Sequence, residues 1–212
     1  MQNTKSLMHS LPGCFVAVLA LCLFAGCKTE QFSTEQSSTK VASTPPAATA
    51  APATASVPAP VTMPVRIKAG LTTSFTDSDG NVWLADQGFA DGDTTDRATD
   101  LQIANTKDPG LYRTEHYSMT SFSYPVPNGK YIVKLHFAET FDGITGPGER
   151  VFSFNVEGQE FKDFDVWAKA GGPNRAYIET VNVEVTDGKL NITFTPKVEN
   201  PEINGIEIVP AS

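Results

Sequence analysis

The chain has 212 residues, a formal net charge of -8, 40% hydrophobic and 19% charged residues, and only three cysteines. An acidic balance with no basic stripe excludes a nucleic-acid partner, because phosphates demand clustered lysine and arginine; it serves solubility and favours neutral or cationic ligands. Such a length accommodates one domain of ordinary size with room for segments of another character.

The first residues read as an export signal. Lys5 precedes an apolar run from Cys14 to Ala25 that is short for a permanent membrane span and fits a signal-peptide core. The run ends in Leu23-Phe24-Ala25-Gly26-Cys27, which resembles the lipobox of bacterial lipoproteins, with Phe24 where an aliphatic residue is usual. That resemblance implies cleavage before Cys27 and acylation of its sulfur; an ordinary signal peptide cut elsewhere is the alternative. Lys28 follows in place of the aspartate that resembles an inner-membrane retention signal, so an outer-membrane address in a bacterial envelope is expected. The cysteines are Cys14, Cys22 and Cys27, so a chain cut there keeps one, already modified, and a disulfide framework is excluded.

Thr29 to Pro64 is dominated by Ser, Thr, Ala and Pro, with too few large apolar residues to offset the entropy of ordering. A solvated tether is expected, with a reach on the order of 100 Å if polyproline-like. The organisation read from the sequence is therefore a lipoprotein signal over 1–26, a lipid-anchored linker over 27–64 and one domain over 65–212. The domain is long enough to bury roughly two-thirds of its unfolded surface without cross-links.

Within the domain the hydrophobic period is close to two. Phe122, Tyr124 and Val126 share a face, Pro127-Asn128-Gly129 follows as a turn, and Tyr131, Val133, Leu135 and Phe137 continue the alternation, predicting a hairpin. Phe152, Phe154 and Val156 repeat the pattern. Val181, Val183 and Val185 lead through Asp187-Gly188 into Leu190, Ile192 and Phe194, a second predicted hairpin. Ile206 and Ile208 close the set, and no stretch carries a helical stripe of useful length. The fold class is all-β, an antiparallel sandwich or jelly roll.

The inward set continues from Phe137 through Glu139 to Phe141 as the chain enters Asp142-Gly143-Ile144-Thr145-Gly146-Pro147-Gly148. Polar and aromatic groups are thus delivered to one end of the sandwich, where a glycine-rich loop permits close approach of a ligand. A carboxylate on an inward face has to be paired, and Arg113 or Arg150 can pair Glu139. Aromatics and carboxylates in one cleft suit a sugar, whose C–H face packs on a ring while its hydroxyl rim needs acceptors.

Several blocks in chain order resemble the malectin domain, a carbohydrate-binding β-sandwich: Ala69-Gly70, Thr76 to Trp83, Leu111 to Tyr117, Leu135 to Phe141, Val151-Phe152, and Glu199-Asn200-Pro201 running into Ile203 to Pro210. The resemblance covers about Arg66 to Pro210 and implies a galactose-binding-like jelly roll that recognises sugar without turning it over. It carries ligand contacts onto Tyr117, Phe141, Asp142 and Glu199: two stacking rings, and two acceptors for hydroxyls. Asp142 stands where the family has an aromatic, and Glu199 where the animal proteins have an aspartate. These departures withhold any transfer of glucose specificity. Phe89 is the candidate for a further family aromatic upstream.

Other constellations are weaker. Asp77-Ser78-Asp79-Gly80-Asn81 echoes the start of a calcium loop, but the downstream bidentate glutamate is missing and Asp-Gly is turn chemistry. His116 and His136 lie far apart without cysteine, so neither zinc nor another metal or cofactor is expected. Trp83 and Trp167 read as packing residues, and Asn191-Ile192-Thr193 matches a glycosylation sequon inside a strand, to which nothing is assigned. Two rivals to sugar binding remain. One is a protein-interaction or structural envelope module, since an aromatic groove serves a peptide as well. The other is a small glycoside hydrolase using two of Glu115, Glu139 and Glu199, which must stand about 5–5.5 Å or about 6.5–9.5 Å apart.

Overall fold

The computed structural model describes residues 61–212; the expected signal peptide, the expected acylation at Cys27 and the expected linker up to residue 60 lie outside them. Fourteen strands occur in this part: β1 (Val65–Lys68), β2 (Phe75–Thr76), β3 (Val82–Trp83), β4 (Phe89–Ala90), β5 (Asp93–Asp96), β6 (Thr114–Tyr117), β7 (Ser121–Pro125), β8 (Gly129–Phe137), β9 (Val151–Val156), β10 (Gln159–Phe164), β11 (Tyr177–Val185), β12 (Lys189–Val198), β13 (Glu202–Ile203) and β14 (Gly205–Pro210). A 3-10 turn at Pro109–Tyr112 and one short helix, α1 (Val166–Ala170), complete the set.

Two antiparallel sheets face each other, one ordered β1-β14-β8-β11 and the other β10-β9-β12-β7-β4. The period-two runs turn one side of each sheet inward. Val133 stands in register with Ile208 and Val181, Leu135 with Ile206, and across the gap Phe154 is paired with Phe194 and Ile192 with Phe122. These side chains are almost wholly removed from water. Each contributes about 1.5–3 kcal/mol by burial, which holds the layers together without cross-links. Phe137, Phe152, Phe154 and Phe164 meet at the centre with ring separations of 5.0–6.3 Å.

The sandwich is as expected, but neither predicted hairpin forms. β7 pairs with β12 and β4, while β8 pairs with β14 and β11; β11 and β12 likewise belong to opposite sheets. Both connections cross from one layer to the other at the end of the sandwich. A tight two-residue hairpin of the favoured type needs left-handed backbone at both central residues. Pro127 forbids it in the first loop, and in the second only Gly188 (φ 82°) has it. The true two-residue hairpin joins β9 to β10 through Glu157 (φ 48°) and Gly158 (φ 87°).

Outside the first sheet lies a smaller apolar cluster of Trp83, Ile103, Leu111, Tyr112, Ala138 and Ala176. Beside it a three-stranded sheet, β13-β6-β5, sits at one end of the sandwich. This sheet carries the candidate site.

Candidate binding site

Alternation along β6 sends Glu115 and Tyr117 to one face and His116 to the other. Register with β5 places Thr95 opposite Glu115 and Asp93 opposite Tyr117, while β13 places Glu202 beside Tyr117 on its other flank. On the far side the chain leaves β8 through buried Ala138, Glu139 and Thr140 and emerges at Phe141, whose ring is 45% exposed. A turn closed by Ile144 N–H donating to Phe141 O (3.0 Å) holds that ring at the rim. Between these elements lies a cleft of about 250 Å³ lined by Thr95, Arg97, Glu115, Tyr117, Phe141, Arg150 and Glu199.

Its floor is an ionic network. Arg97 donates through Nη2 to Glu115 Oε1 (2.8 Å) and through Nε to Thr140 Oγ1 (3.0 Å), and the Thr140 hydroxyl donates in turn to Glu115 Oε2 (3.0 Å). Arg150 donates through Nε to Glu139 Oε2 (2.6 Å) and through Nη1 to Asn200 O (2.5 Å); Glu139 also accepts from Phe141 N–H (3.0 Å). Of the two partners the sequence offered for Glu139, Arg150 is the one used, while Arg113 donates to Leu101 O instead. These bonds leave Nη1 of Arg97 and Nη2 of Arg150 for a ligand.

Glu202 lies beneath, fully buried with both carboxyl oxygens unpartnered. Burial, with Glu115 and Glu139 adding repulsion, pushes its pKa well above the carboxylate range despite Arg150 and Arg97. Arg97 and Arg150 thus stand against Glu115 and Glu139, with Glu202 pushed toward its uncharged form. Burial also raises the Glu115 carboxyl, against the pull of Arg97 and Thr140.

The structure brings together three of the four residues the resemblance implied. Tyr117 and Phe141 flank the cleft, and Glu199, held in left-handed backbone (φ 59°) just before Asn200-Pro201, is exposed at its rim. Asp142 is not in this cleft. It sits one residue into the turn, on the other side of Phe141, in a neighbouring cavity of about 280 Å³ with Trp167 and Asn174. Phe89 lines neither cavity; it stacks on His116 at 4.4 Å. Sequence reading missed Thr95, Arg97 and the floor role of Arg150. The signal that was present for them is the need of buried Glu115 and Glu139 for cationic partners.

Other charged groups are spent on architecture. Burial opposes charge on Asp77, yet hydrogen bonds from Trp83, Asn81 and Asp79 hold its carboxyl at about 2, so this acid staples the β2–β3 turn. Trp83 is core, as its surroundings predicted; Trp167 is half-buried and faces a cavity. Burial works against charge on His116, but Asp86 and the Asp91 carbonyl accept from its two nitrogens (2.9 Å each) and raise its pKa. Among the described residues no group of His, Cys, Asp and Glu is arranged to hold a metal ion.

A larger cavity, about 460 Å³, opens elsewhere between Trp83, Tyr112, Lys134 and Lys107. Its charged groups already have partners: Arg66 and Lys134 pair with Glu207 and Lys107 with Asp79, while Asp108 accepts from Ser78 and Asp77 from Trp83 and Asn81. The smaller cleft keeps free guanidinium donors, an exposed carboxylate and two rings. It offers flat apolar surface and directional hydrogen bonds together, which is what a polyhydroxylated ring requires.

Residues 63–206 match the Malectin domain family. Receptor-like protein 4 of Arabidopsis thaliana is 35% identical over 107 residues, 47% of this chain and 17% of that protein. The chain spans less than a fifth of the length of the curated relatives it matches. Among solved structures, a β-glucuronidase of Bacteroides uniformis superposes with a TM-score of 0.63 at 21% identity, over 71% of this chain and 18% of that one. The extracellular domain of ANXUR2 from Arabidopsis thaliana gives 0.60 at 18% identity, over 68% and 47%. At these identities the likeness is one of fold.

Proposed function

The chain belongs to the malectin domain family, and from that premise we propose that it binds carbohydrate without turning it over, in the cleft between Tyr117 and Phe141. The observation that carries this reading is the cleft itself: two rings facing an ionic floor with spare guanidinium donors, and Glu199 as an acceptor at the rim. A sugar stacks its C–H face on the rings and trades water for those donors and acceptors.

Hydrolysis is the weaker reading. A two-carboxylate mechanism needs two acids free to act on one bond. Glu139 is buried in its pair with Arg150, and Glu115 is held by Arg97 and Thr140. Glu199 alone is exposed.

The export signal and lipobox-like sequence support a place in a bacterial envelope, tethered to the outer membrane through lipid on Cys27 and the Ser/Thr/Ala/Pro-rich linker. Labelled palmitate should enter the wild-type chain and not Cys27→Ser. For the binding function, a glycan array is probed with the protein and with Tyr117→Ala, whose fold is checked by circular dichroism. Glycan signals that vanish in the folded variant support the reading; a blank array with wild type moves the cleft to a peptide partner.

A further inference from the structure

Phe141 is not the end wall of one cavity but the partition between two. On its near side lies the cleft with Tyr117; on its far side lies the cavity of about 280 Å³ that Asp142, Trp167 and Asn174 help line. Its ring, 45% exposed, borders both, with Arg97 over it on the near side at 5.9 Å from the ring centre.

The far cavity is built, not a gap between loose loops. Asp165 caps α1 by accepting from Ala168 N–H (3.0 Å) and with its other oxygen holds Gly148 N–H (2.7 Å), so Trp167 and the glycine-rich loop are fixed to one carboxylate. Asn174 is fixed to the strand end from the other side: its N–H donates to Glu139 O and its own carbonyl accepts from Ala104 N–H, each at 2.8 Å. The side-chain oxygen of Asn174 is buried with no donor, behind the surface of the wall. Trp167 is half-buried and presents aromatic surface to the cavity.

We propose that this cavity is a second sugar subsite, continuous with the first over Phe141, and that the ligand is an oligosaccharide chain rather than a single terminal sugar. The proposal rests on the carbohydrate reading of the Tyr117 cleft. Tyr117, Phe141 and Trp167 supply successive stacking surfaces, and Asp142, displaced from the first cleft, becomes the hydroxyl acceptor of the second. Charge then sets the ligand class. The far subsite is lined by Asp142, an exposed carboxylate, and Glu139 with no lysine or arginine, so a uronate or sulfate group entering it is repelled while a neutral or amino-substituted unit is accepted.

The test is an array on which neutral glycans are printed at lengths of two to six units, with oligogalacturonates as the anionic set. It is followed by titration of the hits with tryptophan fluorescence as a second readout. Affinity is expected to rise at least tenfold from the disaccharide to the tetrasaccharide. Emission should change only for the longer ligands, because Trp167 faces the far subsite while Trp83 is 3% exposed. Trp167→Ala and Asp142→Ala should each remove the gain with length; Asp142 is exposed, so the second variant keeps the fold if the first does not. Tyr117→Ala should lower affinity at every length. Affinity independent of length, a length gain that survives both far-side variants, or preference for oligogalacturonates overturns the second subsite and leaves the first. Failure of wild type on every glycan overturns both.

Discussion

At Gly143 one hydrogen atom separates a seated Phe141 ring from a displaced one. A Cβ there would stand 2.5 Å from Phe141 Cε1 and 2.6 Å from Cζ. The loop is exposed and the ring is the free end of a side chain, so Gly143→Ala should move the ring rather than unfold the domain. Its melting temperature should stay within about 2 °C of wild type, an effect under about 0.5 kcal/mol, while glycan affinity falls several-fold. His136 gives a pH test at the same scale. Its ring is buried, with Nδ1 hydrogen-bonded to Tyr112 Oη (2.9 Å), and burial pushes its pKa down to about 4, against the raising effect of Glu207. The unfolded chain takes the proton from about pH 6.5 downward and the native one only near 4, so this contribution is complete above 6.5 and lost as pH falls through that window. Urea unfolding of wild type and His136→Gln should show their stability difference shifting by about 3 kcal/mol against wild type between pH 7 and pH 4. A constant difference would mean that the ring is charged in the fold.

Two buried cations tie elements together and should respond differently to removal. Lys68 on β1 reaches β6 and the residue after β13: its Nζ donates to Ala69 O, to both oxygens of Thr114 and to Asn204 O. Burial pulls it down to about 7, against Glu115 and Asp86. Those acceptors keep other donors, since Thr114 Oγ1 donates to Ala69 O, Asn204 Nδ2 to Thr114 O and Ala69 N–H to Asn204 O. Lys68→Met removes a buried charge and strands no partner, so chemical denaturation should find it within about 1 kcal/mol of wild type. Arg150→Met leaves the Glu139 carboxylate buried without its cation and should cost about 3–5 kcal/mol. Element type was legible for the long core strands β7, β8, β9, β11, β12 and β14, because inward Val, Ile and Phe at period two read the same in any sandwich, and not for the short polar strands such as β5 and β10 or for α1. Connectivity was not. Period two is satisfied whether a chain turns back beside itself or crosses to the facing layer, and the two cases differ in backbone handedness, left-handed at both Glu157 and Gly158 but only at Gly188 of Asp187-Gly188.

At the scale of the whole molecule, the fold's end and the rings at it were legible because β8 runs in register into the glycine-rich loop, and the blocks similar to malectin supplied Tyr117, Phe141 and Glu199. Asp142 lay beyond that reading because a turn sends successive residues to opposite sides, and a substitution at a family aromatic does not say where the new side chain points. Arg97 was hidden for another reason: it is joined to Glu115 and Thr140 only by folding, across residues far apart in sequence. Under the proposed tethering, the Ser/Thr/Ala/Pro-rich segment would bear on function through concentration. If the proposed lipid anchor holds the domain near a surface, immobile glycans would meet it at high effective concentration, and weak single-site affinity would suffice.

The most direct measurement is an amide chemical-shift map of the protein titrated with the strongest glycan from the array. The account predicts shifts concentrated at Thr95, Arg97, Tyr117, Phe141 and Asn200, extending to Asp142 and Trp167 for the longer chains. Shifts centred instead on Trp83, Tyr112 and Lys134, where the larger cavity lies, would contradict it.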